Sequence, residues 1–493
     1  MPNSSPNVPT PKNEPVRGYA PGSPERASLE KRLAQLAGRE IDVPLVIGGK
    51  RIRTGKLAEM RCPHDHSVLL GKYHKGGKKE VERAVAAANK AWPEWGAMPW
   101  EQRMSIFLRA AELLAGPWRD TLNAATMLGQ SKSVFQAEID SACELIDFWR
   151  FNPWYAQKIY GEQPPVSPTG MWNYVEQRPL EGFVFAVTPF NFTSIAGNLP
   201  TSPALMGNTV VWKPASSSVY SAWFIMELLR EAGLPDGVIN MVPGSGGDIG
   251  TPAMQSPELA GVHFTGSTAV FQGMWKTVGE NIASYKTYPR IVGETGGKDF
   301  IFAHRSADVD ALTAAMVRGA FEYQGQKCSA ASRAYIPKSM WPRLRKKFYG
   351  ELETIKQGDV QDFSCFMNAV IDENAYNDIT GYIKHARRSS DATVDYGGGF
   401  DRRQGWFIEP TVILAKKPDF RTMCEEIFGP VLTVFVYDDA RYERMLGTCN
   451  ATSPYALTGA VFATDRQAIV TAKNMLTHAA GNFYVNDLSL IHI

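Results

Sequence analysis

From Gly182 onward, short apolar runs alternate with segments of helical periodicity, and this alternation restricts the possible fold more than any other feature. The runs are "GFVFAVTP", "NTVVWKP", "GVINMVPG" and "GVHFTGS", followed by a second series from "FIFAH" to "TGAVFAT" and "AGNFYVND". Strands that alternate with helices are typical of a parallel sheet covered by helices on both faces. The pattern therefore predicts an α/β protein with two such units in tandem, and 493 residues are enough for both.

The chain before Gly182 is predicted to be mostly helical. "SPERASLEKRLAQLAG" begins with a capping serine and ends with a glycine stop. A longer helix is expected in "SVFQAEIDSACELIDFWRFN", ending before Pro153, because a proline disfavours helical backbone in the residue before it. Further helices are expected over 218–232, 308–322 and 339–355.

Two segments of this part of the chain are not predicted to be helical. The first residues are rich in proline, asparagine and serine, which predicts a disordered or extended arm over 1–25. Prolines and glycines around the alternating "MWNYVEQRP" predict an extended excursion, a hairpin, over 165–182.

Composition narrows the function classes. A formal net charge of +2 argues against nucleic acid or an anionic membrane as a partner. The six cysteines are scattered with no CxxC pair, so neither a disulfide framework nor a metal site is expected. No run approaches the ~20 apolar residues of a membrane span, and no secretory or transit segment is recognised at the start. A cytoplasmic protein is expected, or a mitochondrial matrix protein if the source is eukaryotic.

Three strand ends carry groups that suit a nucleotide ligand. Gly266 and Ser267 follow a strand and open a helix, where backbone N–H groups and a hydroxyl can face a phosphate. Lys213 closes another strand at the carboxyl edge, the side on which open α/β sheets bind ligands. The glycine-rich "GSGGDIG" is weaker, since an ordinary strand-to-helix turn explains it equally well.

Cys328, Glu294 and Asn191 form a second group of candidates. Most cysteines are buried structural residues, but glycines flank both Cys328 and Glu294, and glycine allows a ligand to approach the backbone closely. A thiolate can attack a carbonyl carbon, and a carboxylate can activate water. Asn191, after a strand in "TPFNF", offers an amide to a developing oxyanion.

These residues lie in six motifs, "TPFNF", "WKPA", "FTGS", "ETGGK", "GQKCSA" and "EEIFGP", which occur in the order seen in the aldehyde dehydrogenase superfamily. Within it the chain resembles the Δ1-pyrroline-5-carboxylate dehydrogenases through "QAEID", "CELIDF", "FEYQGQKCSA" and "AGNFYVND", among other stretches. The resemblance implies oxidation of L-glutamate γ-semialdehyde to L-glutamate with NAD, the second step of proline catabolism. A dehydrogenase of another semialdehyde and a catalytically silent relative remain the alternatives.

The resemblance also implies a role for each candidate. Cys328 would be the nucleophile, Asn191 the oxyanion donor and Glu294 the base for hydrolysis. The implied cofactor contacts are Lys213, Ser216, Gly266, Ser267, Glu426 and Phe428. Because Ser216 stands near a position that is often acidic in NAD-preferring relatives, NADP is not excluded by charge.

Substrate selection would rest on Glu144 for the ammonium group, Phe192 for the aliphatic chain and Ser329 for the carboxylate. An amino-acid semialdehyde carries both charges, and burying either requires a partner. Glu144 lies in a predicted helix, so an ordinary exposed helical glutamate is the competing interpretation.

The implied fold has two Rossmann-type doubly wound domains and a small β flap for oligomerisation. The NAD-binding domain would comprise 26–164 and 183–292, the catalytic domain 293–482, and the flap the hairpin 165–182 with residues near 483–493. Family members continue beyond "FYVND", so we expect the C-terminal part of the flap to be truncated. We also expect a homodimer at full length and a transient contact with a proline dehydrogenase.

Overall fold

The computed structural model describes residues 6–487, which form two compact units. The first unit holds the residues up to Arg61, then Val68–Gln130 and Ala137–Glu294. The second unit holds Cys62–Ser67, Ser131–Gln136 and the residues from Thr295 onward. The division at Glu294 lies close to the boundary expected at 292, but two short early segments belong to the second unit.

The α-helices, in chain order, are α1 Pro24–Ala37, α2 Lys78–Ala97, α3 Trp100–Ala115, α4 Arg119–Gln130, α5 Val134–Ala137, α6 Glu144–Gly161, α7 Thr193–Leu205, α8 Val219–Glu231, α9 Gly246–Met254, α10 Thr268–Glu280, α11 Val309–Phe321, α12 Trp341–Glu353, α13 Glu373–Arg388, α14 Arg421–Cys424, α15 Tyr442–Thr452 and α16 Arg466–Met475. A π-helical turn, Glu138–Cys143, joins α5 to α6.

The strands, in chain order, are β1 Ile41–Val43, β2 Leu45–Ile47, β3 Lys50–Ile52, β4 Leu57–Cys62, β5 Asp65–His74, β6 Phe183–Val187, β7 Thr209–Lys213, β8 Ile239–Met241, β9 Leu259–Gly266, β10 Arg290–Thr295, β11 Phe300–Ala303, β12 Arg333–Pro337, β13 Ala392–Tyr396, β14 Phe400–Asp401, β15 Phe407–Ile408, β16 Thr411–Ala415, β17 Val431–Tyr437, β18 Thr458–Phe462 and β19 Asn482–Val485.

The first unit is built on a seven-stranded sheet of order β10-β9-β6-β7-β8-β2-β3. Strands β7 and β9 run parallel to β6, and β8 runs parallel to β7. Strand β2 is antiparallel to β8, and β3 is antiparallel to β2. The predicted parallel sheet is therefore present with an antiparallel edge, which is common in doubly wound folds.

The second unit has a seven-stranded sheet of order β13-β16-β17-β12-β11-β18-β19, parallel except for β13. Alternate residues of β11 point to opposite faces: Phe300 and Phe302 pack in one core cluster, and Ile301 and Ala303 in another. Because both faces are buried, the strand reads as a continuous apolar run. Helices cover both faces, as the sequence pattern predicts.

The predicted helices α1, α8, α11 and α12 are confirmed, with Ser23 capping α1. The prediction of a helix end before Pro153 is wrong, because α6 continues to Gly161. A proline inside a helix costs about 3 kcal/mol. The part of α6 beyond Pro153 has contacts that oppose this cost, since Ala156 is buried and Arg103 Nη2 donates to the Tyr160 hydroxyl at 3.0 Å.

The excursion over 165–182 differs from the predicted hairpin. No strand forms between α6 and β6, a stretch that the structure describes completely. Two hydrogen bonds instead join Gln163 to Val175: the Val175 N–H donates to Gln163 Oε1 at 2.9 Å, and Gln163 Nε2 donates to the Val175 carbonyl at 3.1 Å. An isolated pair of strands is marginal in water, which explains why none forms here. The C-terminal part of the flap was predicted near 483–493, and its described beginning is placed differently, because β19 pairs with β18 in the second sheet. Residues 488–493 lie outside the described residues.

Candidate active site

The carboxyl edge of the first sheet gathers the predicted ligand-binding residues. Because β6, β7, β8 and β9 are parallel, they all end at one edge. Asn191 follows β6, Lys213 ends β7 and Gly266 ends β9. The prediction that these strand ends share an edge is confirmed.

Lys213 is 8% exposed, and its Nζ donates to the Pro214 carbonyl at 3.2 Å. Burial lowers the pKa of this amine to about 8. Among the described residues no carboxylate forms an ion pair with Lys213, so its remaining N–H donors are available to a bound molecule. This arrangement fits a hydroxyl-rich ligand such as a ribose.

Ser216 and the glycine-rich segment lie together at the same edge. The Ser216 hydroxyl donates to the Gly244 carbonyl at 3.2 Å, and Ser245 caps α9 by accepting from the Asp248 N–H. The side chain of Ser216 brings no negative charge to this place.

Ser267 is the N-cap of α10 and is exposed. Its hydroxyl oxygen accepts from the Val270 N–H at 3.4 Å, which leaves its own O–H free to donate outward. A Cβ at Gly266 would come within 2.7 Å of Phe264 Cζ, so only glycine fits beside that ring. A helix N-terminus with a hydroxyl and close backbone suits a phosphate.

Asn191 and Phe192 directly precede α7, whose first turn contacts Glu144 through Ser194. Asn191 and Phe192 are buried, and Phe192 is the helix N-cap. The Ser194 hydroxyl donates to Glu144 Oε2. Glu144 is only 8% exposed, so the competing interpretation of an ordinary exposed helical glutamate is wrong. Sequence reasoning missed Ser194, although its position three residues after Asn191 placed it in the same helix turn.

Glu294 lies on β10, the edge strand of the first sheet, and its side chain is exposed. The surrounding protein still shields the carboxyl group partly from water, and this desolvation raises its pKa. A carboxyl group with a raised pKa is a stronger base once it is ionised.

In the second unit, Cys328 occupies a turn after the 3₁₀ segment Glu322–Gly325. From Gly319 to Ala331, it is the one residue that is not fully buried. The segment before it is unusual, because Tyr323, Gln324 and Gly325 all have left-handed backbone, with φ values of 50°, 55° and 66°. Bulky residues rarely adopt this conformation, so the surrounding structure must hold it.

Two glutamines that sequence reasoning missed hold this turn. Gln324 Nε2 donates to the carbonyls of Ser131 and Ala369, at 3.1 and 2.7 Å, and its Oε1 accepts from the Asn368 N–H. Gln326 Oε1 accepts from the Ile371 N–H at 2.9 Å. The only local sequence signal is Gly325 between them, because glycine favours a turn.

Glu426 binds the glycines that follow Glu294. Its Oε1 accepts from the Gly297 N–H at 3.2 Å, and any Cβ at Gly296 would collide with this carboxylate. Burial raises the pKa of Glu426 to about 6. Phe428 has left-handed backbone with φ 56°, and Ser329 is 1% exposed beside Cys328.

Residues 6–487 also bear on two other kinds of site. No group of three or more His, Cys, Asp or Glu side chains is arranged to hold a metal ion. Within the same residues, no helix combines the length and apolar character needed to cross a membrane.

The order of motifs and the two sheets agree with a comparison to known families. Residues 52–492 match the aldehyde dehydrogenase family, and the chain belongs to that family. It is 50% identical over 483 residues to a mitochondrial Δ1-pyrroline-5-carboxylate dehydrogenase of Dictyostelium discoideum, covering 98% of this chain and 87% of that protein.

Solved structures give the same result. A Δ-pyrroline-5-carboxylate dehydrogenase from Mycobacterium tuberculosis, bound with NAD, is 52% identical with a TM-score of 0.95, covering 99% of this chain and 90% of that one. A 1-pyrroline-5-carboxylate dehydrogenase from Thermus with bound NAD is 29% identical with a TM-score of 0.91, covering 98% and 92%. The expected aldehyde dehydrogenase fold is thus confirmed.

Proposed function

We propose that the protein oxidises L-glutamate γ-semialdehyde, the open form of Δ1-pyrroline-5-carboxylate, to L-glutamate with NAD. The observation that carries the proposal is Cys328, a reachable thiol in an otherwise buried turn that two glutamines hold. Family membership and the names of the relatives support the substrate. The reaction is the second step of proline catabolism.

Cys328 is proposed as the nucleophile. Its thiolate adds to the aldehyde carbon, and the former carbonyl oxygen takes the negative charge of a thiohemiacetal. The Asn191 amide and the Cys328 backbone N–H are proposed to donate to this oxyanion. When bound, NAD supplies the hydride acceptor for the oxidation.

Glu294 is proposed to complete the reaction. The oxidised intermediate is a thioester on Cys328, which water must hydrolyse to release glutamate. Glu294 takes a proton from that water, and its raised pKa makes it a better base than a solvated glutamate. Release of the product restores the thiol.

Three buried residues are proposed to select the substrate. Glu144 pairs with the ammonium group, Phe192 contacts the aliphatic chain and Ser329 donates to the carboxylate. Each is less than 9% exposed, so these contacts take place largely out of water. A charge buried in this way needs a partner, which favours a zwitterionic substrate over a plain aldehyde.

The cofactor is proposed to bind along the carboxyl edge of the first sheet. Lys213 and Glu426 would hold ribose hydroxyls, Gly266 and Ser267 a phosphate, and Phe428 the nicotinamide half. Ser216 would lie near the adenosine ribose. Because Ser216 carries no charge, a 2′-phosphate is not repelled, so NADP is expected to be a weaker alternative rather than an excluded one.

We further propose that the protein works as a homodimer. Side chains of the excursion support this, since Trp172 is 87% exposed and Tyr174 67% exposed, and large aromatic groups at the surface favour a protein contact. A transient contact with a proline dehydrogenase, the source of the substrate, stays a prediction. The compartment is proposed to be the mitochondrial matrix in a eukaryote and the cytoplasm otherwise.

Replacement of the nucleophile tests the proposal. Cys328→Ala should abolish NADH production from glutamate semialdehyde, by about 10³-fold or more, while NAD binding measured by calorimetry is retained. The matched control is Cys424→Ala, which removes the other partly exposed thiol and should leave the rate within twofold. Cys328→Ala activity within tenfold of the unchanged protein would refute the assignment.

A further inference from the structure

Glu138 is a buried carboxylate that the proposed chemistry does not use. It is 0% exposed and begins the π-helical turn Glu138–Cys143. Arg119 binds it with two nitrogens, and Asn123 Nδ2 donates to its Oε2 at 2.8 Å. Burial alone would raise the pKa of Glu138, but the hydrogen bonds and charge of Arg119 outweigh burial and lower it. The group is therefore ionised at neutral pH.

The remaining partners of Glu138 come from the arm, here the described residues 6–22. The Arg17 N–H donates to Glu138 Oε1 at 2.8 Å, and the Tyr19 hydroxyl donates to Oε2 at 2.8 Å. Tyr19 is 3% exposed and has a left-handed backbone with φ 49°. A bulky residue keeps this conformation only where its surroundings impose it.

More of the arm is bound on either side of this contact. Asn13 Nδ2 and the Glu14 N–H donate to the two carboxylate oxygens of Asp147, both at 2.7 Å. The Glu14 carboxylate pairs with Arg119 and Arg150. The sequence predicted an arm that is either disordered or extended. The described part of the arm is extended and bound to the rest of the unit.

The π turn leads directly to the residue proposed to bind the substrate ammonium. Glu144 follows the turn, and its N–H donates to the Ile139 carbonyl five residues earlier. A π turn holds one residue more than an α turn. If it relaxed to α-helical hydrogen bonding, Glu144 would rotate by about 100° around the helix axis, because an α-helix has 3.6 residues per turn.

A second connection runs from the π turn to α7. Thr126 Oγ1 lies 3.1 Å from Ser141 Oγ and 2.8 Å from Thr193 Oγ1. Thr193 is the first residue of α7, directly after Phe192, and Ser194 donates to Glu144. The hydrogen bonds of the turn therefore reach the same residues that carry the substrate assignment.

We propose that the arm holds the π turn through Tyr19 and Glu138 and thereby positions Glu144 for the ammonium group of the substrate. Tyr19 and Glu138 are positioning residues, since neither is proposed to touch the substrate. The inference rests on the proposed function, because it assigns a cause to the orientation of Glu144. It predicts that damage to the arm weakens recognition of an amino-acid aldehyde and spares the chemistry.

The test compares two aldehydes in the full chain. Tyr19→Phe removes one hydrogen bond to Glu138 without changing any charge, and should raise KM for glutamate semialdehyde about fivefold with kcat nearly unchanged. Glu138→Gln should raise it about thirtyfold. For propanal, which has no ammonium group, kcat/KM should stay within twofold in both variants. A merely structural role would lower kcat/KM for both aldehydes together.

Controls and a second variant separate the possible failures. Tyr155→Phe, on an exposed tyrosine, and Glu112→Gln, on an exposed partner of Arg150, should leave both substrates unchanged. Glu144→Ala should lower kcat/KM for glutamate semialdehyde relative to propanal more strongly than any arm variant does. If Glu144→Ala has this selective effect while Tyr19→Phe and Glu138→Gln do not, the positioning inference is overturned and the proposed function stands. If Glu144→Ala affects both substrates equally, the substrate assignment itself fails.

Discussion

At the scale of single residues, Glu294 has an environment suited to its proposed task. It lies on an exposed edge strand, so water can reach it, and partial shielding still raises its pKa. A fully buried base would lack water, and a fully solvated one would be weaker. An edge strand satisfies both requirements because one of its sides lacks a neighbouring strand.

Glu294→Gln should slow thioester hydrolysis far more than hydride transfer. The expected result is a burst of NADH close to one per active site, followed by a steady rate reduced by about 10²-fold or more. Stopped-flow absorbance at the NADH band measures both phases. Glu280→Gln, an exposed carboxylate on α10, serves as the control and should behave as the unchanged protein. Equal slowing of both phases would point to a different base.

The same residue predicts a pH dependence in the unchanged protein. A raised pKa keeps the carboxyl group protonated, and so inactive as a base, up to a higher pH than an ordinary glutamate. The steady rate should therefore decline on acidification at a pH above the usual glutamate range. The steady rate of Glu294→Gln should lose this acid limb.

At this scale the sequence predicts candidate site residues but not the residues that hold them in place. Cys328, Glu294 and Lys213 stand out because their chemistry and flanking glycines or strand ends are local in sequence. Gln324 and Glu138 do not, since their partners lie 44 and 119 positions away for Asn368 and Tyr19. No local pattern encodes such a pairing.

At the scale of elements, the turn before Cys328 depends on a glycine. Gly325 has φ 66°, and a Cβ there would collide with the Gly429 carbonyl. The collision involves backbone on both sides, so no side chain can move aside to relieve it. Glycine is thus required by conformation and by space at the same position.

Gly325→Ala should therefore lower the free energy of unfolding by about 2–4 kcal/mol, and with it the melting temperature. It should also reduce kcat, because the Cys328 turn is displaced. The matched control is Gly350→Ala within α12, where a Cβ meets nothing within 4 Å. That substitution should stabilise the protein by up to about 1 kcal/mol, because alanine favours a helix interior. Calorimetry and NADH production on both variants provide the measurement. A stable, fully active Gly325→Ala protein would contradict the interpretation.

Elements were predictable where local periodicity determines them. Strand β11 and helix α11 follow from apolar spacing, and α1 from its cap. The continuation of α6 through Pro153 was not, because burial of Ala156 and the hydrogen bond between Arg103 and Tyr160 oppose the local penalty. The absence of paired strands over 165–182 was not predictable either. Alternation of apolar and polar residues indicates an extended segment, but it does not show whether a neighbouring strand pairs with it.

At the scale of the whole molecule, two short segments belong to a unit that the sequence alone does not predict for them. Cys62–Ser67 and Ser131–Gln136 join the second unit although they lie in the first third of the chain. Their ties are contacts between residues far apart in sequence, such as the Ser131 hydroxyl accepting from the Ala369 N–H at 3.1 Å. A shift in composition can mark a domain boundary between long stretches of chain. It does not mark a segment of six residues that packs in the other unit.

Self-association should depend on the excursion. Trp172→Ser should shift the protein toward monomer, raising the dissociation constant by about tenfold or more, because a surface tryptophan is a frequent anchor of protein contacts. Sedimentation velocity across a dilution series would measure this shift. Tyr155→Ser, which removes an aromatic group 53% exposed on α6, should leave the association constant unchanged. Equal effects of the two substitutions would argue against a specific contact through the excursion.

The docked arm has a consequence for biosynthesis. The Glu14 N–H donates to Asp147, 133 positions later, so during translation at roughly 5–20 residues per second the arm waits on the order of ten seconds for its partner. Throughout that time it is exposed to chaperones, proteases and other nascent chains. Its composition, "PNVPTPKNEPVRGYAPG", has prolines that interrupt every apolar stretch and so opposes premature β-association. The composition of the arm is thus suited to the delay that its late docking imposes.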